Sequence, residues 1–280
     1  MAATVSTKTQ SRWLKRIYIL PAEHGAWALW LGPLAIGIGV GGWNGAPTLL
    51  LVSSQLFAFL ARQPLVILVK ALSGRRSRND ASPASMWFVG YSLLAIISGC
   101  TLLAHGYTQL LWAIAPIAPM LIWQVWLVRN RAERQMTIEL AGSGMLALAA
   151  PTAYYVATGA IDRTALTLWL LCWLQSAAAI VYVYLRLAQR RLDAMPSMPE
   201  RWRMGRRAIA YTTANLAVSI GLAVTRLAPA WTPAAFTAML VQAIGGTRSP
   251  CVGVRPQRIG FAQVGATAIF AGLMIIAYGV

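Results

Sequence analysis

The chain has 280 residues, of which 58% are hydrophobic and 11% charged, and its net charge is +17. Apolar runs over 46–69 and 164–185 match a hydrocarbon core that needs roughly 20 apolar residues, which excludes a soluble fold. They lack the alternating polarity of a barrel, and a backbone in lipid must satisfy its own hydrogen bonds, so the runs predict α-helices. The arginines lie between apolar runs, where topology and anionic headgroups account for them, and no nucleic acid is expected as a partner. Cys100, Cys172 and Cys251 show no paired spacing, so neither a disulfide framework nor a zinc site is expected.

In chain order, residues 1–16 read as a short polar tail. A cleaved leader is not expected, because Glu23-His24 precedes the first apolar stretch and no small-residue cleavage pattern follows a short apolar core. Spans are expected near 25–42, 46–70, 85–105, 108–128, 136–158, 164–185, 207–226, 230–245 and 262–280. This makes an all-α polytopic transmembrane bundle of about nine helices, forming one membrane domain over 1–280. Every second connection is basic: Arg12, Lys15 and Arg16; Arg75, Arg76 and Arg78; Arg129, Arg131 and Arg134; Arg190 to Arg207; Arg248, Arg255 and Arg258. The positive-inside rule then sets a cytoplasmic N-terminus and an odd number of spans. The longest connections, 72–84 and 186–206, fall on the cytoplasmic side and are candidate lids.

Ionisable and amide groups at membrane depth are costly, so each is a candidate site residue facing a cavity or a partner helix. Glu23 and His24 enter the first span beside Trp27, either as part of a site or as an interfacial anchor. Arg62 and Gln63 precede Pro64 inside the second span, a placement that topology does not explain. Arg131, Gln135 and Glu139 share a helix face at i, i+4, i+8, as a structural ladder or the wall of a pocket. Gln175, Tyr182, Arg186 and Arg190 form a second stripe, whose plainer explanation is snorkelling arginine below an aromatic belt. Asn215 bridges helices or faces a site, and Arg255 and Arg258 before the last span suit lipid phosphates or another anion. The seven acids form no DxxD-type cluster, so no metal site and no cofactor is expected, and no Ser-His-Asp or Cys-His triad has local support.

Leu20-Pro21-Ala22-Glu23-His24-Gly25-Ala26-Trp27, followed by Gly32-Pro33, and Arg255-Pro256-Gln257-Arg258-Ile259-Gly260 resemble the YwiC-like family of bacterial membrane proteins over nearly the whole chain. That likeness implies a bacterial inner membrane and brings no activity to carry over. A second resemblance is to the UbiA-type membrane prenyltransferases. It rests on the span count, on Val128 to Arg131 through Gln135 to Gly142, and on Tyr182-Val183-Tyr184. This likeness implies a central cavity open to lipid beneath cytoplasmic loops, holding a prenyl diphosphate and an acceptor. Where that superfamily has its two Asp-rich motifs, this chain has Arg62-Gln63-Pro64 with the basic 75–80 stretch, and Arg186, Arg190 and Arg191 with only Asp193.

The expectation is therefore a UbiA-like bundle whose cavity takes an amphipathic anionic ligand, an isoprenoid or quinone-type lipid. Arg62, Arg131 and Arg186 would meet its head by charge-assisted hydrogen bonds in place of a metal bridge. A divergent transferase would need those arginines to stabilise a departing diphosphate and Glu139 or Glu23 as base, with His24 in the catalytic group. The alternatives are a transporter or channel for a small anion or solute, disfavoured by the lack of an internal repeat, and a membrane assembly subunit.

Overall fold

The structure is a computed structural model that describes residues 16–21, 24–129 and 136–279. The helices are α1 (Arg16–Ile19), α2 (His24–Gly41), α3 (Gly45–Leu72), α4 (Ala81–Ala104), α5 (Leu110–Arg129) and α6 (Met136–Ala147), followed by α7 (Ala149–Thr158), α8 (Arg163–Gln189), α9 (Met198–Val224), α10 (Thr232–Arg248) and α11 (Pro256–Gly279). No strand occurs among the described residues, and a short 3₁₀ turn, Arg78–Asp80, leads into α4.

Among the described residues, seven stretches are long and apolar enough to cross a membrane: α3, α4 with its leading turn, α5, Ile138–Thr158, α8, α9 and α11. The chain is thus a multi-pass, all-α membrane protein. The first and eighth expected spans coincide with α2, of 18 residues, and α10, of 17, which are helical but shorter. The fifth expected span is broken at Leu148 into α6 and α7. Pro151 explains the break, since it lacks the N–H that would bond the Ala147 carbonyl and its ring crowds that carbonyl.

The connection expected over 186–206 is shorter than that. α8 runs on to Gln189, and α9 already starts at Met198, behind Ser197. There Glu200 accepts from the Ser197 backbone N–H at 3.0 Å in a capping box, with Pro199 in the first turn. The loop expected over 72–84 is likewise confined to residues 73–80, because α4 begins at Ala81.

The chain divides into two compact units, one drawing on residues 1–22, Leu50–His105 and Leu121–Glu133, the other on 23–49, Gly106–Met120 and 134–280. In the first, α1 is pinned by side chains from α3 and α4. Buried Tyr18 donates to Asp80 Oδ1 at 2.6 Å, Gln63 Nε2 donates to the Ile17 carbonyl at 3.4 Å, and the Tyr91 hydroxyl donates to the Ile19 carbonyl at 3.0 Å. Arg76 holds the other Asp80 oxygen at 2.6 Å. Along α4, Val89, Leu93, Ile96 and Ile97 are exposed, as on a helix facing lipid.

In the second unit α8 is the axis of the core. Leu168, Leu171, Cys172, Ala178 and Ala179 pack with Ile36 of α2, Ala150 of α7, Phe236 and Met239 of α10, and Phe270 and Met274 of α11. Lipid supplies little hydrophobic drive between helices, so close approach through small residues and polar bridges holds the group together. A Cβ at Gly37 would collide with the Ala150 carbonyl, and one at Gly205 with Thr247, which marks where α2 meets α7 and where α9 meets α10. Trp169 and Trp173 of α8 donate to the Gly144 and Leu140 carbonyls of α6 at 3.0 and 2.9 Å.

Candidate functional site

One end of the second unit gathers the C-termini of α8 and α10 with the N-termini of α9 and α11, and most of its arginines. Helix C-termini leave carbonyls without intrahelical partners, and here arginines meet them. Arg186 Nη1 donates to the Gly246 and Ser249 carbonyls, each at 2.8 Å, and to Gln189 Oε1 at 3.0 Å. Gln189, fully buried, donates to the same Gly246 carbonyl at 3.0 Å. Arg190 Nε reaches the Val254 carbonyl at 3.1 Å, and Arg201 donates to the Pro196 and Arg248 carbonyls at 2.9 Å each. The Cys251 thiol caps the Arg186 carbonyl at 3.2 Å. Two cation–π contacts complete the end: Arg186 lies 5.9 Å from the Tyr182 ring and Arg248 5.7 Å from that of Trp202.

This geometry gives Arg186 a different setting from an open pocket: its Nη1 donates to three oxygens of the fold. Arg255 and Arg258 are placed otherwise. Both are exposed, neither side chain has a protein acceptor among the described residues, and both line an open hollow of about 450 Å³ with Val252, Gly253 and Val254. The hollow sits at the start of α11, where free backbone N–H groups add positive potential. Gly253 turns the chain here with φ of +67°, a left-handed conformation that L side chains rarely adopt.

Deeper in the unit is a line of buried amides and hydroxyls. Gln175 Nε2 donates to Thr267 Oγ1 at 3.4 Å, and the Ser176 hydroxyl donates to Gln175 Oε1 at 3.4 Å. Gln242 Nε2 donates to Gln263 Oε1 at 3.4 Å. Asn215 Nδ2 donates to the Leu174 carbonyl at 2.6 Å, tying α9 to α8. Gln263 is 5% exposed and its Nε2 is buried without a hydrogen-bond partner.

Of the residues singled out in the sequence, Tyr182, Arg186, Gln175, Asn215, Arg255 and Arg258 all belong to the second unit, and Arg62 and Gln63 to the first. Arg62 is exposed on α3, while Gln63 donates to the Ile17 carbonyl of α1. Glu139 lies exposed in the first turn of α6. Glu23, Arg131, Gln135 and the side chain of His24 lie outside the described residues. Gln189, Gln242 and Gln263 escaped the sequence reading, although each is a lone amide within or beside an apolar run. No group of three His, Cys, Asp or Glu able to hold a metal comes together among the described residues.

The model of the YwiC-like protein family matches residues 20–154, just under half of the chain. The Bacillus subtilis (strain 168) protein named "Uncharacterized protein YwiC" is 25% identical over 129 residues, which is 44% of this chain and 48% of that protein. The match thus spans about half the length of this curated relative. No solved structure matches the chain. The family match takes in the Leu20 to Trp27 motif but ends before α8, so the arginine end of the second unit lies beyond it. Over residues 20–154 this membrane protein is similar to the YwiC-like protein family.

Proposed function

We propose that the chain binds the head of an anionic amphipathic lipid at the arginine end of its second unit, which faces the cytoplasmic side of a bacterial inner membrane. The observation that carries this reading is the pair Arg255 and Arg258, exposed at a hollow of about 450 Å³ beside the start of α11, while Arg186, Arg190 and Arg201 donate to carbonyls. A phosphate at the hollow receives charge-assisted hydrogen bonds from the guanidinium groups, which are about twice as strong as neutral ones. The likeness to UbiA-type prenyltransferases suggested a head held by Arg62, Arg131 and Arg186 in a central cavity. The ligand class stays an anionic lipid, but its head falls to Arg255 and Arg258 instead. A divergent transferase is the enzymatic form of this function, and it needs an acceptor bound beside the head.

The test is native mass spectrometry of the full chain released from micelles, with phosphatidylglycerol as probe. Arg255→Gln with Arg258→Gln is expected to lower lipid retention about tenfold or more, as loss of charged hydrogen bonds implies. Unchanged retention would remove the hollow from the site.

A further inference from the structure

The hollow is lined by residues 252–255 and Arg258, so most of its wall is a connection and not a helix. A connection keeps one shape only where bonds hold it against the entropy of its backbone. The part before the hollow is held by Arg186, whose Nη1 donates to the Ser249 carbonyl and whose own carbonyl accepts from the Cys251 thiol. The part that forms the wall is a tight turn, closed by the Val254 N–H donating to the Cys251 carbonyl at 3.3 Å, with Gly253 left-handed inside it.

Arg190, which ends α8, meets that turn twice. Its carbonyl, without an intrahelical partner at the helix end, accepts from the Gly253 N–H at 3.2 Å, and its Nε donates to the Val254 carbonyl at 3.1 Å. Arg255 is the next residue, and the Arg258 N–H then donates to the Arg255 carbonyl at 3.0 Å as α11 begins. The clip on Val254 therefore sets where the chain leaves the turn and from which direction Arg255 enters the hollow. The lining of the hollow does not include Arg190 itself.

We infer that Arg190 is a positioning residue of the head site, holding the turn at 252–254 in the shape that presents Arg255 to an anionic head and acting through that backbone without touching the ligand. This inference rests on the head site proposed above. A turn freed from the clip holds the binding shape for only part of the time, and apparent affinity falls by that fraction.

The donor atom is Nε, and this separates positioning from a role of charge. Glutamine carries its amide nitrogen where arginine carries Nε, so Arg190→Gln keeps a donor to Val254 without the charge. Arg190→Lys keeps the charge but has a methylene at that place, with its ammonium one bond beyond. Arg190→Met has a methyl there and neither property. Retention of phosphatidylglycerol by the full chain is read by native mass spectrometry. It is expected to fall about fivefold in the methionine variant, as for a turn that holds its shape about a fifth of the time, to fall in the lysine variant as well, and to stay near the wild type in the glutamine variant. Should the methionine variant fail to fold, the contrast between glutamine and lysine decides alone. Retention kept by lysine and lost with glutamine overturns the inference, because Arg190 would then act by its charge. Retention at the wild-type level in every Arg190 variant, with loss in the Arg255→Gln and Arg258→Gln pair, overturns it too and leaves the head site standing. Retention indifferent to that pair overturns the head site itself.

Discussion

A guanidinium at the end of a membrane helix has two uses, closing backbone carbonyls or meeting an external anion, and its acceptors decide which. Arg186 donates to the carbonyls of Gly246 and Ser249, on a different element from its own, so it joins the ends of α8 and α10. Arg186→Ala is expected to destabilise the fold by about 2–3 kcal/mol, because the charged hydrogen bonds to the Gly246 and Ser249 carbonyls are lost, and Gln189 remains to donate only to Gly246. Thermal unfolding in detergent measures this. A variant that unfolds like the wild type but loses lipid would instead make Arg186 a head-group ligand. Arg255 and Arg258 should behave in the opposite way, with little change in unfolding temperature and a large change in retention. Removing divalent cations with EDTA is expected to leave retention unchanged, given that no acidic or histidine cluster forms among the described residues. A loss on chelation would place a metal between lipid and protein.

At the scale of elements, the apolar runs were legible in the sequence because a membrane helix must carry its length of about 20 apolar residues in its own chain. All nine expected positions are occupied by helix, Ile138–Thr158 still serving as one span, and two local departures have local causes. Pro151 divides one run into α6 and α7, and the capping box at Ser197 and Glu200 starts α9 within a stretch whose arginines had suggested loop. The signal for the second lay in the Ser-x-x-Glu spacing, outweighed there by charge. The site was less legible. Which carbonyls an arginine caps depends on a helix some 60 residues away, as with Arg186 and Gly246, and nothing in local spacing encodes it. Arg255 and Arg258 could be nominated from sequence because they precede a span, and the buried Gln263 could have been, as a lone amide in the last apolar run.

Two element-scale outcomes follow from the packing. Gly205→Leu drives a side chain into Thr247 where α9 crosses α10, and Gly37→Val does the same against Ala150 where α2 crosses α7. Each is expected to cost roughly 1–3 kcal/mol or more by overpacking, read as loss of monodisperse protein after extraction. Behaviour like that of the wild type would mean these helices pack more loosely than described. Tyr18→Phe removes the 2.6 Å bond to Asp80, and faster hydrogen exchange over 16–21 is expected, with the rest of the chain unchanged. Unaltered exchange there would show that α1 is held by Gln63, Tyr91 and packing alone.

For the whole molecule, the alternation of basic and neutral connections and the arginine end of the second unit lead to one account: a multi-pass membrane protein that meets anionic lipid on the side where its basic connections lie. Cysteines placed singly in the connections after α3, α8 and α10 are expected to label only from the cytoplasmic side. Those in the connections after α2, α4, α7 and α9 are expected to label only from outside. Labelling of basic connections from both sides would break the account at its base, because the arginines would then not share a membrane face. The central claim, that Arg255 and Arg258 hold an anionic lipid head, is tested most directly by native mass spectrometry with phosphatidylglycerol on three proteins: the wild type, the Arg255→Gln and Arg258→Gln pair, and a charge-matched Arg203→Gln and Arg206→Gln pair on α9. Retention is expected to fall about tenfold in the first pair and to stay near the wild type in the second. Equal losses in the two pairs would contradict the claim, showing a diffuse attraction of positive charge for lipid in place of a site.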